Sequence, residues 1–167
     1  MGGRQGCPGR RSVLTGHLVL STLHTNDAPS SLLRLRDLGI DNNLLSSSLL
    51  CVLAQRLVRK ICPACKKPQQ PDPKVLEELK GDLPEDMQFY QGQGCEQCHG
   101  LGYRGQTGIF ELLSLTDELR ILIQRGAAVE EIRDHAHRAG MQSLRAAGIR
   151  KVWQGVTTLD EVIRVTV

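Results

Sequence analysis

The chain has 167 residues, enough to bury one sizeable core with a small appendage. Its formal charge of +3 sits in the first dozen residues at Arg4, Arg10 and Arg11, leaving 18 of the 21 Lys and Arg to balance the 18 Asp and Glu, so the body of the chain is neutral. The only aromatic residues are Phe89, Tyr90, Tyr103, Phe110 and Trp153, scattered singly. There is neither a basic face nor a stacking platform, which argues against a nucleic-acid partner.

No apolar run approaches the roughly 20 residues of a membrane-spanning helix. The opening stretch, MGGRQGCPGRRS, lacks the apolar segment of a secretory signal. Both features point to the cytoplasm. In that reducing compartment six cysteines serve better as metal ligands or buried apolar groups than as a disulfide framework.

In chain order, residues 1–12 are rich in Gly and Arg without periodicity, and read as a disordered or non-native leader. Residues 14–23, LTGHLVLSTL, form a nearly continuous apolar run that predicts a strand buried on both faces, as in a parallel sheet. Helical spacing follows over residues 28–38, closed by Gly39. Residues 44–53 predict a second, mostly buried helix with Cys51 as a small packed residue. QRLVRKI, residues 55–61, predicts a strand.

Residues 62–105 differ in kind: rich in proline, with four of the six cysteines and no long apolar stripe, they read as an excursion from the main fold. TGIFELLSL from Thr107 predicts the returning strand. Helices are then expected over 117–125, 129–139 and 144–154, with a last one opened by the capping box Thr158-x-x-Glu161. Val129, Ile132, Ala136 and Ala139 give the second of these a packing stripe. His135 and His137 lie two apart on it and are expected at the surface.

The cysteines carry the clearest chemistry. Cys62 and Cys65 form one CxxC pair and Cys95 and Cys98 a second, 29 residues apart. Each CxxC turn presents two thiolates to one metal, and two turns complete the tetrahedron of a structural zinc site. The long intervening loop costs little, because closure entropy grows only logarithmically with length. Competing readings each lack something. CEQCH as a haem attachment requires export, CEQCHGLG is a single copy of a chaperone repeat that occurs in series, and CPAC as a redox pair needs a strand before it and a helix after it. Four cysteines leave no open position for water, so the site is read as structural, with His99 only a neighbour.

A second candidate is TGHLVLSTLHTN. Ligands of an open α/β sheet collect beyond the carboxyl ends of its strands, and this run delivers Thr22, His24 and Asn26 to such an edge. His17 and His24 are seven apart and point to opposite faces of a regular strand, so they share a site only if the strand bends or ends between them. From the residues alone, a histidine at a strand end is more often structural than catalytic.

LTGHLVLSTLHTNDAPSSLLRLRDLGI, VLAQRLVRKICPAC, GCEQCHGLGYRGQTGIFELL and KVWQGVTTLDEVIRVT, taken together and in this order, resemble the carboxyl-terminal part of the bacterial type II secretion and type IV pilus assembly ATPases, from about Leu14 to Val167. The resemblance implies an α/β fold class: the carboxyl-terminal portion of a RecA-like P-loop ATPase core over 13–61 and 106–115, an inserted tetracysteine zinc module over 62–105, and a helical subdomain over 116–167. It makes His17 and His24 the histidine box, with His24 near the γ-phosphate or attacking water. It makes Cys62, Cys65, Cys95 and Cys98 the zinc ligands. It further implies a homo-hexamer at the cytoplasmic face of the inner membrane, docked on secretion or pilus platform proteins, using ATP and Mg2+ to drive pseudopilin or pilin assembly.

Such proteins carry a G-x-x-x-x-G-K-[ST] phosphate loop, an acidic box and a Walker B segment before the histidine box; this chain has none of them, and its glycines from Gly2 to Gly9 do not fit the spacing. The chain is therefore expected to be the distal part of such a motor, not catalytic by itself. Its apolar run at residues 18–23, without neighbouring strands, is expected to promote association. A stand-alone zinc-stabilised interaction module is the alternative.

Overall fold

The computed structural model describes residues 17–78, 83–84 and 87–166. The leader, Cys7 and the first residues of the apolar run lie outside them. Two compact units are present: residues 1–52 with 113–136, and residues 53–112 with 137–167.

The first unit is built on helices. α1 (Ala28–Asp37) starts where Asp27 turns its carboxylate onto the Ser30 amide at 2.7 Å and Pro29 presets the first turn. It stops at Gly39, whose φ of +79° lets the Gly39 and Ile40 amides bond back to the Arg36 and Leu35 carbonyls. α2 (Asn42–Ser48) is capped by Asp41. α4 (Asp117–Gln124) is capped by Thr116, and α5 (Val129–Arg138) follows. Ala28, Leu32, Leu45, Leu119, Ile123 and Ile132 form the buried interior of this unit. Arg36 reaches across to the Ile123 and Ala127 carbonyls at 3.2 and 2.9 Å, placing a cation at the carboxyl end of α4. Arg133 pairs with Asp27 at 2.8 Å. Burial works to raise the Asp27 pKa, but the Ser30 and Arg133 hydrogen bonds outweigh it and hold the carboxyl below its ordinary value.

Two expectations fail in this unit. Residues 17–23 form no strand: they take no regular secondary structure, and Leu18 and Leu20 are 75% and 88% exposed. An apolar run becomes a strand only when a ladder partner satisfies its backbone, and the described residues bring none beside it. The helix over 44–53 exists only as α2. It ends at Ser48 because the Ser46 and Ser47 hydroxyls bond back to the Asn43 carbonyl and Leu49 turns extended. Cys51 is consequently an exposed strand residue instead of a packed helical one.

The second unit is organised by β1 (Cys51–Ile61) and β4 (Tyr103–Ser114), each begun or ended in the first unit. Hydrogen bonds from Leu115 to Leu50 and from Cys62 to Gly102 bracket the pair at opposite ends, so the strands run antiparallel. Val58 and Ile109 are buried, whereas Leu53, Leu57, Phe110 and Leu112 are exposed. Between the strands lie β2 (Lys66–Pro68), α3 (Pro73–Glu78), β3 (Tyr90–Gly92) and a 3-10 turn at Glu96–Cys98.

α6 (Leu144–Trp153) and α7 (Leu159–Thr166) complete the unit. The buried Glu111 of β4 accepts the Leu144 amide at 3.1 Å and so caps α6 alongside Ser143. Met87, Ile149, Val152, Leu159 and Val162 form one apolar cluster, with Val75, Leu76 and Phe89 packed on it. The capping box of α7 is only half made. Thr158 accepts the Glu161 amide at 3.3 Å, but the Glu161 carboxylate turns away from the cap to the Arg59 amide and the Arg59 and Arg164 guanidinium groups.

Candidate metal centre

The first cysteine pair sits where β1 runs out. Cys62 donates its amide to Gly102 at 2.9 Å, and Cys65 closes the turn onto the Cys62 carbonyl at 3.3 Å. The chain then reverses. β2 pairs antiparallel with β3, Lys66 against Gly92 and Pro68 against Tyr90, and Gln93 bonds to the Cys65 carbonyl at 3.0 Å. That short ladder carries the chain back to the second pair, so the 29-residue loop closes through backbone pairing around its base.

The second pair lies on the 3-10 turn. Cys98 and Gly100 both donate to the Cys95 carbonyl, at 3.2 and 3.0 Å, and His99 takes a left-handed conformation with φ of 51°. His99 is exposed and is a neighbour of the cluster, as its place in the sequence suggested.

The four sulfurs converge. Cys62 Sγ lies 3.9 Å from Cys95 Sγ, Cys65 Sγ 3.8 Å from Cys98 Sγ, and Cys95 Sγ 3.7 Å from Cys98 Sγ. All four lie within 4.8 Å of one another. A tetrahedron with metal–sulfur bonds of about 2.3 Å has sulfur–sulfur edges of about 3.8 Å. The spacing is far too long for disulfides, whose bond is about 2.05 Å. Cys62, Cys65 and Cys98 are buried and Cys95 is partly so. The donor set, its burial and its edge lengths fit a metal ion that prefers four thiolates.

The electrostatics are uneven. Burial pushes the Cys65 thiol up to about 11. Burial works to raise the Cys98 thiol too, yet its pKa is brought down to about 6, because the Cys95 and Gly102 amides each donate to its sulfur at 3.2 Å. Amide donors stabilise a thiolate in the way they stabilise a carboxylate, and a thiolate is the ligand form.

The other candidates lie elsewhere. His17, Thr22, His24 and Asn26 are exposed and occupy the irregular segment ahead of α1. Sequence reasoning missed Glu161. It is 1% exposed, held by Arg59 and Arg164, and brought down to about 2: burial opposes the shift, but the two guanidinium groups and the Arg59 amide prevail. Its position in a capping pattern concealed that use.

The profile of the family described as "Type II/IV secretion system protein" matches residues 10–164. The chain belongs to that family. It is 51% identical over 153 residues to the type II secretion system protein E of Pseudomonas aeruginosa, covering 92% of this chain and 30% of that protein. It is 48% identical to the type IV pilus assembly ATPase TfpB of Acinetobacter baylyi and 46% identical to the type IV pilus assembly ATPase PilB of Myxococcus xanthus, covering 93% of this chain in both cases and 27% and 28% of those proteins. The chain thus spans less than a third of the length of these relatives. Among the described residues no helix is long and apolar enough to cross a membrane.

Proposed function

We propose that this chain is the distal part of a hexameric motor ATPase that couples ATP hydrolysis to pseudopilus or pilus assembly and protein secretion. Residues 13–61 and 106–115 belong to a RecA-like core, 62–105 to a zinc module and 116–167 to a helical subdomain. His24 and His17 form the histidine box, with Thr22 and Asn26 at the nucleotide edge, and ATP and Mg2+ are held by parts of the motor outside this sequence. Its place is the cytoplasmic face of the inner membrane, reached through platform proteins of the secretion or pilus machinery.

The observation that carries this reading is the convergence of four cysteine sulfurs, three of their separations 3.7–3.9 Å, in a chain of this family. Cys62, Cys65, Cys95 and Cys98 hold zinc, which supplies a closed cross-link with no position for water. The chain's own residues supply the rest: the β2–β3 ladder aligns the turns, and the amides of Cys95 and Gly102 keep one ligand ionised.

The test has two arms. Elemental analysis of the purified chain is expected to give one zinc per chain. ATP hydrolysis is expected to be absent from the chain alone, to appear when a polypeptide bearing the phosphate loop and Walker B segment of a relative is added, and to fall by about 100-fold or more in His24→Ala. A well-folded chain without zinc defeats the metal assignment. A complemented pair indifferent to His24→Ala defeats the nucleotide assignment.

A further inference from the structure

Beside the Cys62–Cys65 turn the surface of the second unit carries an open pocket of about 510 Å³, lined by Lys60, Ile61, Pro63, Lys66, Arg104, Gly105, Gly155 and Val156. Three of these residues are cationic and none is acidic. Two of the three charges are held by neutral partners. Lys66 Nζ donates to the Gly155 carbonyl at 2.7 Å and lies 4.2 Å from the centre of the Tyr90 ring. Arg104 donates to the Gln97 side-chain oxygen at 3.2 Å. The two side chains are thus positioned without being neutralised. The nearby buried carboxylate, Glu161, is already shared by Arg59 and Arg164 and has no charge to spare.

Two lining positions carry no side chain, which lets the lysine side chains approach the backbone there. A Cβ on Gly155 would lie 2.3 Å from Lys66 Nζ, and one on Gly105 would lie 3.3 Å from Lys60 Cε. Any other residue at Gly155 would displace the ammonium from its carbonyl. Ile61, Pro63 and Val156 supply the apolar part of the lining. Cations with unused donors, an apolar part of the lining and no competing carboxylate form a receptor for an anion with a small organic body.

We propose that this pocket is an anion-binding site that takes a small soluble phosphate monoester, its dianionic phosphate among Lys60, Lys66 and Arg104 and its organic part against Ile61, Pro63 and Val156. The site shares no residue with the histidine segment, so it stands independently of the nucleotide reading above. A phosphate monoester carries close to two negative charges above its second pKa of about 6, which suits a cluster of three cations.

The test is a titration of the full zinc-loaded chain with phenyl phosphate, followed by amide chemical shifts. Saturable shifts at Lys60, Gly105 and Val156, with inorganic phosphate binding more weakly, are expected. Lys60→Gln combined with Arg104→Gln should weaken binding at least tenfold while melting and zinc content are retained, since both side chains are exposed. Shifts confined to residues 17–26, binding unchanged in the double variant, or no saturable binding in the parent chain would each overturn the assignment. Because the shift map is read on the unaltered chain, the result does not depend on a variant folding.

Discussion

The backbones of Gly92 and Gly102 approach so closely that a Cβ on Gly92 would lie 2.0 Å from the Gly102 carbonyl oxygen. That contact fastens the end of β3 to the start of β4 beside the cysteine cluster, with Gly102 also donating its amide to Cys98 Sγ. Gly102 has φ of +74° as well, so Gly102→Ala meets both a steric collision and left-handed strain of about 1–2 kcal/mol. We expect it to lower the melting temperature and weaken metal retention together. A variant that melts and holds zinc like the parent would refute the clasp.

All four thiols must ionise to bind a metal, and Cys65 and Cys98 depart from the ordinary thiol in opposite directions. Above about 6 Cys98 is already a thiolate and releases no proton on binding, whereas Cys65, held at about 11, must give one up at pH 7.5. Affinity for zinc is therefore expected to rise with pH and to fall sharply below about 6, where Cys98 becomes protonated as well. Competition with a chromogenic chelator between pH 5.5 and 8.5 measures this, and a pH-independent affinity contradicts it. Cys62→Ser or Cys98→Ser should abolish tight binding.

Glu161 ties strand to helix. Its folded carboxyl titrates at about 2 against an ordinary value of 4.5, so its stabilising effect is full above about 4.5 and is lost as pH falls through 2. Glu161→Gln should cost about 2 kcal/mol at neutral pH, less than the full shift because Arg59 and Arg164 are half exposed. Parent and variant melting curves are expected to converge near pH 2. A constant difference from pH 7 to 2 would show that the effect is packing.

Gly148 marks where α6 and α7 touch. A Cβ there would lie 2.6 Å from Val162 Cγ1, so Gly148→Ala should destabilise by about 1–3 kcal/mol although alanine is the better helix former. Adding Val162→Ala to that variant should restore part of the loss. Denaturant unfolding of the two variants decides it.

Leu18 and Leu20 leave an apolar segment facing solvent. Light scattering is expected to show concentration-dependent association of the chain, reduced by Leu18→Lys with Leu20→Lys. Unchanged association in that variant would locate the contact elsewhere.

What the sequence determined by itself was local. Asp27, Pro29 and Gly39 mark the ends of α1 because caps and turns act within four residues, and the CxxC spacing names four thiolates because a short turn places two sulfurs side by side. The strand expected at 14–23 does not form over residues 17–23, and the helix expected at 44–53 breaks at Ser48, because extended structure depends on a partner that no local pattern reveals. Tertiary structure alone decided that Glu161 would serve Arg59, 102 residues away, instead of its own helix cap. It also decided that Lys60, Lys66 and Arg104 would line one open pocket. Such long-range placement follows from how the strands and the cysteine turns close on one another, a geometry that exists only after folding.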